Sequence, residues 1–255
     1  IPFRSRCPFC VKGHESGIQH RRSDEERTIP VFGFDYLLGT HDAGQEKDEN
    51  VKILVAKCSF SKCVFSHVVP QKGVDPERYA VERLKRDMQW LGYSNVILKT
   101  DNEHAILKLL NEVLKDLRIG GPDQSLGSQS LEAHPPAYDP SSNGMVESAC
   151  KFVGGMIRTI KLDLEGRLGR RVPVSHPIFA WLVEHASWIL TTKPKLQDGR
   201  TPYHRARGSK FCRESLISGE SALYKIPPGK MSSGLEGKFS ARWREGIFLG
   251  YSRDS

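Results

Sequence analysis

Three carboxylates carry the chemical interest of this 255-residue chain. Asp35 lies within VFGFDYLL (31–38), where Val31, Phe32, Phe34, Tyr36, Leu37 and Leu38 predict a strand buried on both faces. A bare carboxylate in such a strand costs several kcal/mol unless it is paired or binds a cation. Asp101 follows the apolar run NVILK (95–99), and strand ends are where the sites of open α/β sheets gather. Glu147 falls in the first turn of a helix expected from Gly144, which Asn143 can cap. A helix N-terminus favours a carboxylate there. Two Asp at strand ends and a Glu from a facing helix make a divalent-metal constellation, and hard oxygen ligands suit Mg²⁺ or Mn²⁺. Two such ions about 3.5–4 Å apart can activate a hydroxyl and stabilise a leaving oxygen in phosphodiester chemistry. Each acid taken singly is ordinarily a surface group; the apolar setting of Asp35 argues against that for this one.

A second chemical cluster opens the chain. Cys7 and Cys10 have the spacing at which two thiolates grip one Zn²⁺, and His14 and His20 follow. A self-contained Cys₂His₂ finger needs about 12 residues between its pairs, far more than separate Cys10 from His14. Zinc on Cys7, Cys10, His14 and His20, or no metal at all, both stay open. Cys58 and Cys63 fall on a hairpin and are expected to be small strand residues. Cys150 and Cys212 are expected to be packing thiols.

The elements that must position these groups follow from hydrophobic pattern. Strands are expected at 31–38, 51–57 and 63–69, the last two hairpin-paired, and at 95–100. Helical spacing predicts helices from Asp75 to about Leu91, over 103–117, from about Gly144 to Glu165, over about 175–191, and a short one after Asp198. The Gly/Pro/Ser-rich stretch 118–142 is expected to be a loop around one short strand near Ser130–His134. Past 215, ALYKI and GIFLGY are short β-like pieces. An antiparallel hairpin sheet with parallel additions and helices on both faces fits an α/β, ribonuclease-H-like mixed sheet.

Composition narrows the function classes. Hydrophobic residues at 38% suffice for a core, and charged residues at 27% argue against wholesale disorder. No apolar run approaches the ~18 residues of a membrane span. Six cysteines spread over the chain are no disulfide scaffold, which points to a reducing compartment. Residues 1–150 hold 19 Lys+Arg against 21 Asp+Glu, whereas residues 151–255 hold 19 against 9. The basic half points to nucleic acid as partner. The chain begins at Ile1 and is expected to be a piece of a longer product.

VFGFDYLLG, KTDNEHAI and YDPSSNGMVESACKFVGGMIRTIK resemble the catalytic core of retroviral and retrotransposon integrases, and most closely the copia type. DGRTPYHRARG (198–208) and WREGIFLGY (243–251) resemble segments that follow that core in copia-type polyproteins. The resemblance places the family's three acids on Asp35, Asp101 (TDN) and Glu147 (NG-x-x-E), with Ser142-Asn143-Gly144 the most specific match. The gap from Asp101 to Glu147 is longer than the family pattern, which makes Glu132 a rival third acid. The resemblance implies trimming of a DNA 3′ end, then attack of the freed 3′-OH on target DNA, with two Mg²⁺ or Mn²⁺ ions. It implies a homo-oligomer acting on element ends and target DNA, nuclear at the point of action and in a cytoplasmic particle before. Cys7 and Cys10 resemble the last two ligands of the family's His-His-Cys-Cys zinc module, with the His pair expected upstream. The expected division is 1–22 a truncated zinc-module remnant, 23–29 a linker, 30–195 the catalytic core and 196–255 a small, basic, β-containing C-terminal extension. A ribonuclease-H-like nuclease or transposase, and a catalytically silent, domesticated DNA-binding module, are the alternatives.

One helix face adds candidate DNA contacts. Val146, Cys150, Val153, Ile157, Ile160 and Leu164 form the expected core stripe. About 100° round the helix, Glu147 heads a row of Lys151, Gly154, Arg158 and Lys161. Asn143, Lys151, Arg158 and Lys161 are therefore expected to hold DNA near the metals, with Gly154 and Gly155 admitting its backbone.

Overall fold

The computed structural model describes residues 29–39, 51–119, 130–133, 144–214, 216–225 and 242–253. Its sheet grows from the most apolar stretches of the sequence. VFGFDYLLG forms β1 (Val31–Gly39), VKILVAKC forms β2 (Val51–Cys58) and VFSHVV forms β3 (Val64–Val69). β-Branched and aromatic side chains suit a pleated, packed surface. β1 pairs antiparallel with β2, and β2 with β3. β4 (Val96–Lys99) runs parallel to β1, and β5 (Ser130–Ala133) parallel to β4. The spatial order is β3-β2-β1-β4-β5. Five helices accompany it among the described residues: α1 (Tyr79–Leu91), α2 (His104–Ile119), α3 (Gly144–Leu168), α4 (Ile178–Thr192) and the short α5 (Pro202–Arg207). A two-stranded ribbon pairs β6 (Ser221–Lys225) with β7 (Trp243–Ile247). The element order and the mixed sheet are those expected from the sequence.

The period-2 alternation of strands sorts the core into two layers. Phe32, Phe34, Leu54, Ala56 and Leu98 pack with Leu84 of α1 and Leu110 of α2. Ile53 and Val55, on the opposite face of β2, pack with Val153 and Ile157 of α3 and Leu182 of α4. Most of these side chains are fully withdrawn from water. The buried line of α3 is Val146, Ala149, Val153, Ile157, Ile160 and Leu164, so Ala149 takes the place expected of Cys150, which is half-buried.

Gly33 fixes how closely α3 approaches β1. A Cβ there would stand 2.5 Å from Val146 Cγ2 and 3.1 Å from Met145 Cε. Val146 is itself buried and has no flexible end to move aside. Asp35 and Leu37 share the face of Gly33, and Leu37 packs in the α3–α4 layer. The first turn of α3, with Glu147, is thereby seated over Asp35. Gly33→Ala is expected to cost about 1–3 kcal/mol by overpacking and to push Glu147 away from Asp35. Thermal melts and joining assays check it; an unchanged melting temperature would mean that α3 has slack.

Three local expectations need correction. β1 is buried on both faces only from Val31 to Phe34; Asp35 to Leu37 are half-buried and Leu38 is 47% exposed. The cause is pairing: β4 accompanies β1 only along Val31–Gly33, so the sheet opens beyond Gly33 and Asp35 sits in the opening. The helix expected from Asp75 starts at Tyr79. Asp75 instead caps it, accepting the N–H groups of Tyr79 at 2.9 Å and Ala80 at 3.2 Å. Cys212 is exposed rather than a packing thiol. Cys58 and Cys63 are buried, and burial pushes the Cys63 thiol up to about 11.

Described residues beyond 195 pack on the same core. Cys63 Sγ donates to Pro202 O at 3.3 Å. Tyr203, Phe211 and Tyr251 gather around Trp188 of α4 with ring centroids 5.2–6.4 Å away. Among the described residues no helix is long and apolar enough to cross a membrane.

Candidate active site

Asp35 projects from β1 where the sheet opens, on the α3 side. Its Oδ1 accepts the Tyr36 N–H at 2.7 Å. Burial raises its pKa, and the charges of Asp101, Glu103 and Glu147 push in the same direction; only the Tyr36 N–H opposes them. Asp101 follows β4 after the buried Thr100 and is exposed, with Oδ1 accepting the Asn102 N–H at 2.7 Å. Glu147 stands half-buried in the first turn of α3. The two strands and the helix thus bring Asp101 and Glu147 within electrostatic reach of Asp35. Cys150 lies one turn beyond Glu147. Burial, reinforced by Asp35 and Glu147, pushes its thiol up to about 12, which keeps it protonated and unreactive.

Glu103 is a fourth acid of this group. Lys72 Nζ holds its two oxygens at 2.7 and 2.9 Å and also lies 5.6 Å over the Tyr36 ring. Tyr36 is fixed in turn by the Gly73 N–H, which donates to its hydroxyl at 2.8 Å. The partners are 31 residues apart, so only the position of Glu103, two after Asp101, hinted at this from sequence.

The donor set, all hard carboxylate oxygens, fits Mg²⁺ or Mn²⁺, and the repulsion felt at Asp35 is what a bound cation relieves. The carboxylates are grouped but not closed into a cage: among the described residues no three His, Cys, Asp or Glu lie close enough together to hold an ion.

The expected DNA row on α3 is only partly a solvent face. Lys151 and Arg158 are exposed. Lys161 pairs with Glu165 at 2.7 Å, its side chain only 18% exposed. Glu165 also accepts the Val172 N–H at 2.7 Å, so Lys161 secures the end of α3. Gly154 faces the protein, since a Cβ there would meet Leu37 Cδ2 at 3.5 Å. Helix–sheet contact, not approach of DNA, occupies that side. Asn143 and the Cys7, Cys10, His14 and His20 cluster lie outside the described residues. Glu132 lies on β5 in register with Leu98.

A second polar centre went unforeseen. His67 of β3 meets Asp87 of α1 at 2.8 Å and Glu184 of α4 at 3.4 Å. Arg83 also reaches Glu184, at 3.2 Å. This network ties the two helical layers together across the edge strand.

No family model matches the sequence, and no curated protein matches it. Solved structures do. A chain of the simian T-cell lymphotropic virus intasome, solved in complex with the PP2A regulatory subunit B56 gamma, superposes with a TM-score of 0.52 at 16% identity, over 94% of this chain and 76% of that one. The two share a fold. The HTLV-2 integrase catalytic core domain in complex with magnesium gives 0.46 at 13% identity, over 71% of this chain and 100% of that one. The BIV integrase catalytic core domain gives 0.44 at 18%, over 69% and 92%.

Proposed function

We propose that this chain is the central part of a copia-type integrase, a metal-dependent polynucleotidyl transferase acting on DNA in the nucleus. What supports the reading is that the charges of Asp101 and Glu147 act on Asp35 at the open end of the sheet, in a fold shared with an intasome chain. In this reading Asp35, Asp101 and Glu147 are the residues that would hold two Mg²⁺ or Mn²⁺ ions. The ions supply activation of the attacking hydroxyl and charge for the leaving oxygen. The protein holds the acids in register: β1 and β4 set the two Asp, Gly33 admits the turn that carries Glu147, and Lys72 restrains Glu103 beside them. Trimming of a DNA 3′ end and its transfer to target DNA are the two reactions assigned, by a homo-oligomer. Cys7 and Cys10 are assigned to a zinc site completed by a His pair upstream.

In this reading Lys151 and Arg158, both exposed on α3, hold DNA. Replacing both by Ala should weaken DNA affinity severalfold and reduce the slope of log affinity against log salt by about 2. Undiminished affinity in that double variant would assign them to solvent.

A catalytically silent DNA-binding module is the second reading, favoured by the open arrangement of the acids. A joining assay with Mn²⁺ on the full chain separates the two, because a silent module binds DNA without joining it.

A further inference from the structure

A cavity of about 300 Å³ lies between the end of α1, α4, α5 and the chain that returns after β7. Arg207, Lys210, Arg213 and Arg253 line it, and among the described residues no carboxylate does. Its wall is aromatic: Trp90, Trp188, Phe211 and Tyr251 interlock, with Phe211 5.2 Å from both Trp188 and Tyr251. The head of Arg253 lies 4.2 Å over Phe65, 5.3 Å over Trp90 and 5.2 Å over Trp188. Its Nη2 donates to Val64 O at 2.7 Å, while its Nη1 is buried with no hydrogen-bond partner. The nearby carboxylates, Asp87 and Glu184, act on Arg253 from a distance and are engaged by His67.

Four cations, no acid and a ring wall call for an anion with an aromatic body. Phosphate satisfies guanidinium donors, and bases stack on aromatic side chains. We propose that this cavity takes one nucleotide unit of single-stranded nucleic acid. Its phosphate accepts from the rim cations Arg207, Lys210 and Arg213, and its base lies against the aromatic wall. The cavity sits beside edge strand β3, two strands from β1, so the contact is separate from the acids and does not depend on joining chemistry.

The test is anisotropy of a labelled short oligothymidylate on the full chain, with thymidine 5′-monophosphate and inorganic phosphate as competitors. Lys210 and Arg213 are exposed, so K210E/R213E should leave the circular dichroism and melting temperature unchanged. The double variant should weaken binding about tenfold and lower the salt slope by about 2. Thymidine 5′-monophosphate should compete better than phosphate. Equal affinity of the double variant and the parent would overturn the proposal. Phosphate competing as well as the nucleotide would overturn its aromatic half and leave an ion site. Repeating the titration on protein carrying Asp35→Asn keeps the outcome independent of catalysis.

Discussion

Asp35→Asn is expected to abolish DNA joining, by more than about a hundredfold, while the protein gains rather than loses thermal stability at neutral pH. The activity loss follows from removing a carboxylate assigned to metal, since even partners that merely orient metal ligands are worth about 10–100-fold. The stability gain follows from electrostatics. Burial and the fields of Asp101, Glu103 and Glu147 raise the Asp35 pKa in the folded chain, so its ionised form is held at a cost that the unfolded chain does not bear. Asn removes that cost. The advantage of Asn appears as pH rises through the carboxylate range and vanishes well below the ordinary value of 3.8. Melting curves at neutral and acid pH, with joining measured in parallel, check both parts. A variant that melts earlier at neutral pH would show that Asp35 supports the fold.

The second large effect belongs to His67. Burial works against its charge, but Asp87 by its charge and hydrogen bond, then Glu184, overcome this and push its pKa up to about 9. The folded value lies above the ordinary 6.5, so protonation is linked to folding. The stabilisation is complete below about pH 6.5 and is lost as pH rises through about 9. A shift of that size corresponds to on the order of 3 kcal/mol. The charged groups around the ring are Asp87, Glu184, Arg83 and Arg253. His67→Ala leaves Asp87 buried without its partner, and breaking a buried pair in this way typically costs about 3–5 kcal/mol. His67→Gln keeps a donor and should flatten the stability profile between pH 7 and 9. A parent protein whose melting temperature is level over that range would refute the network as described.

The strands, the helices and their order were legible from pattern: short apolar runs such as ILVA in β2, and helical spacing in Ile106, Leu109, Leu110 and Val113. Asp35 and Glu147 stood out as candidates because one breaks an apolar strand and the other heads a helix. Contacts distant in sequence were not. His67 and Glu184 are 117 residues apart, and Arg253 reaches Val64 across 189; no local pattern announces either. Nothing in the strand pattern around Gly33 announces its role, which the seat of α3 supplies. The Lys161–Glu165 pair had a local signal, for Glu165 stands four residues on, where opposite charges on a helix meet.

The identity of the third acid decides the account most directly. Joining of a labelled DNA end to target DNA, with Mn²⁺, should be compared in the parent chain, Glu147→Gln and Glu132→Gln. Joining by the parent and by Glu132→Gln, with none by Glu147→Gln while its DNA affinity persists, is the predicted result. Joining that survives Glu147→Gln, or is lost only in Glu132→Gln, would contradict the assignment.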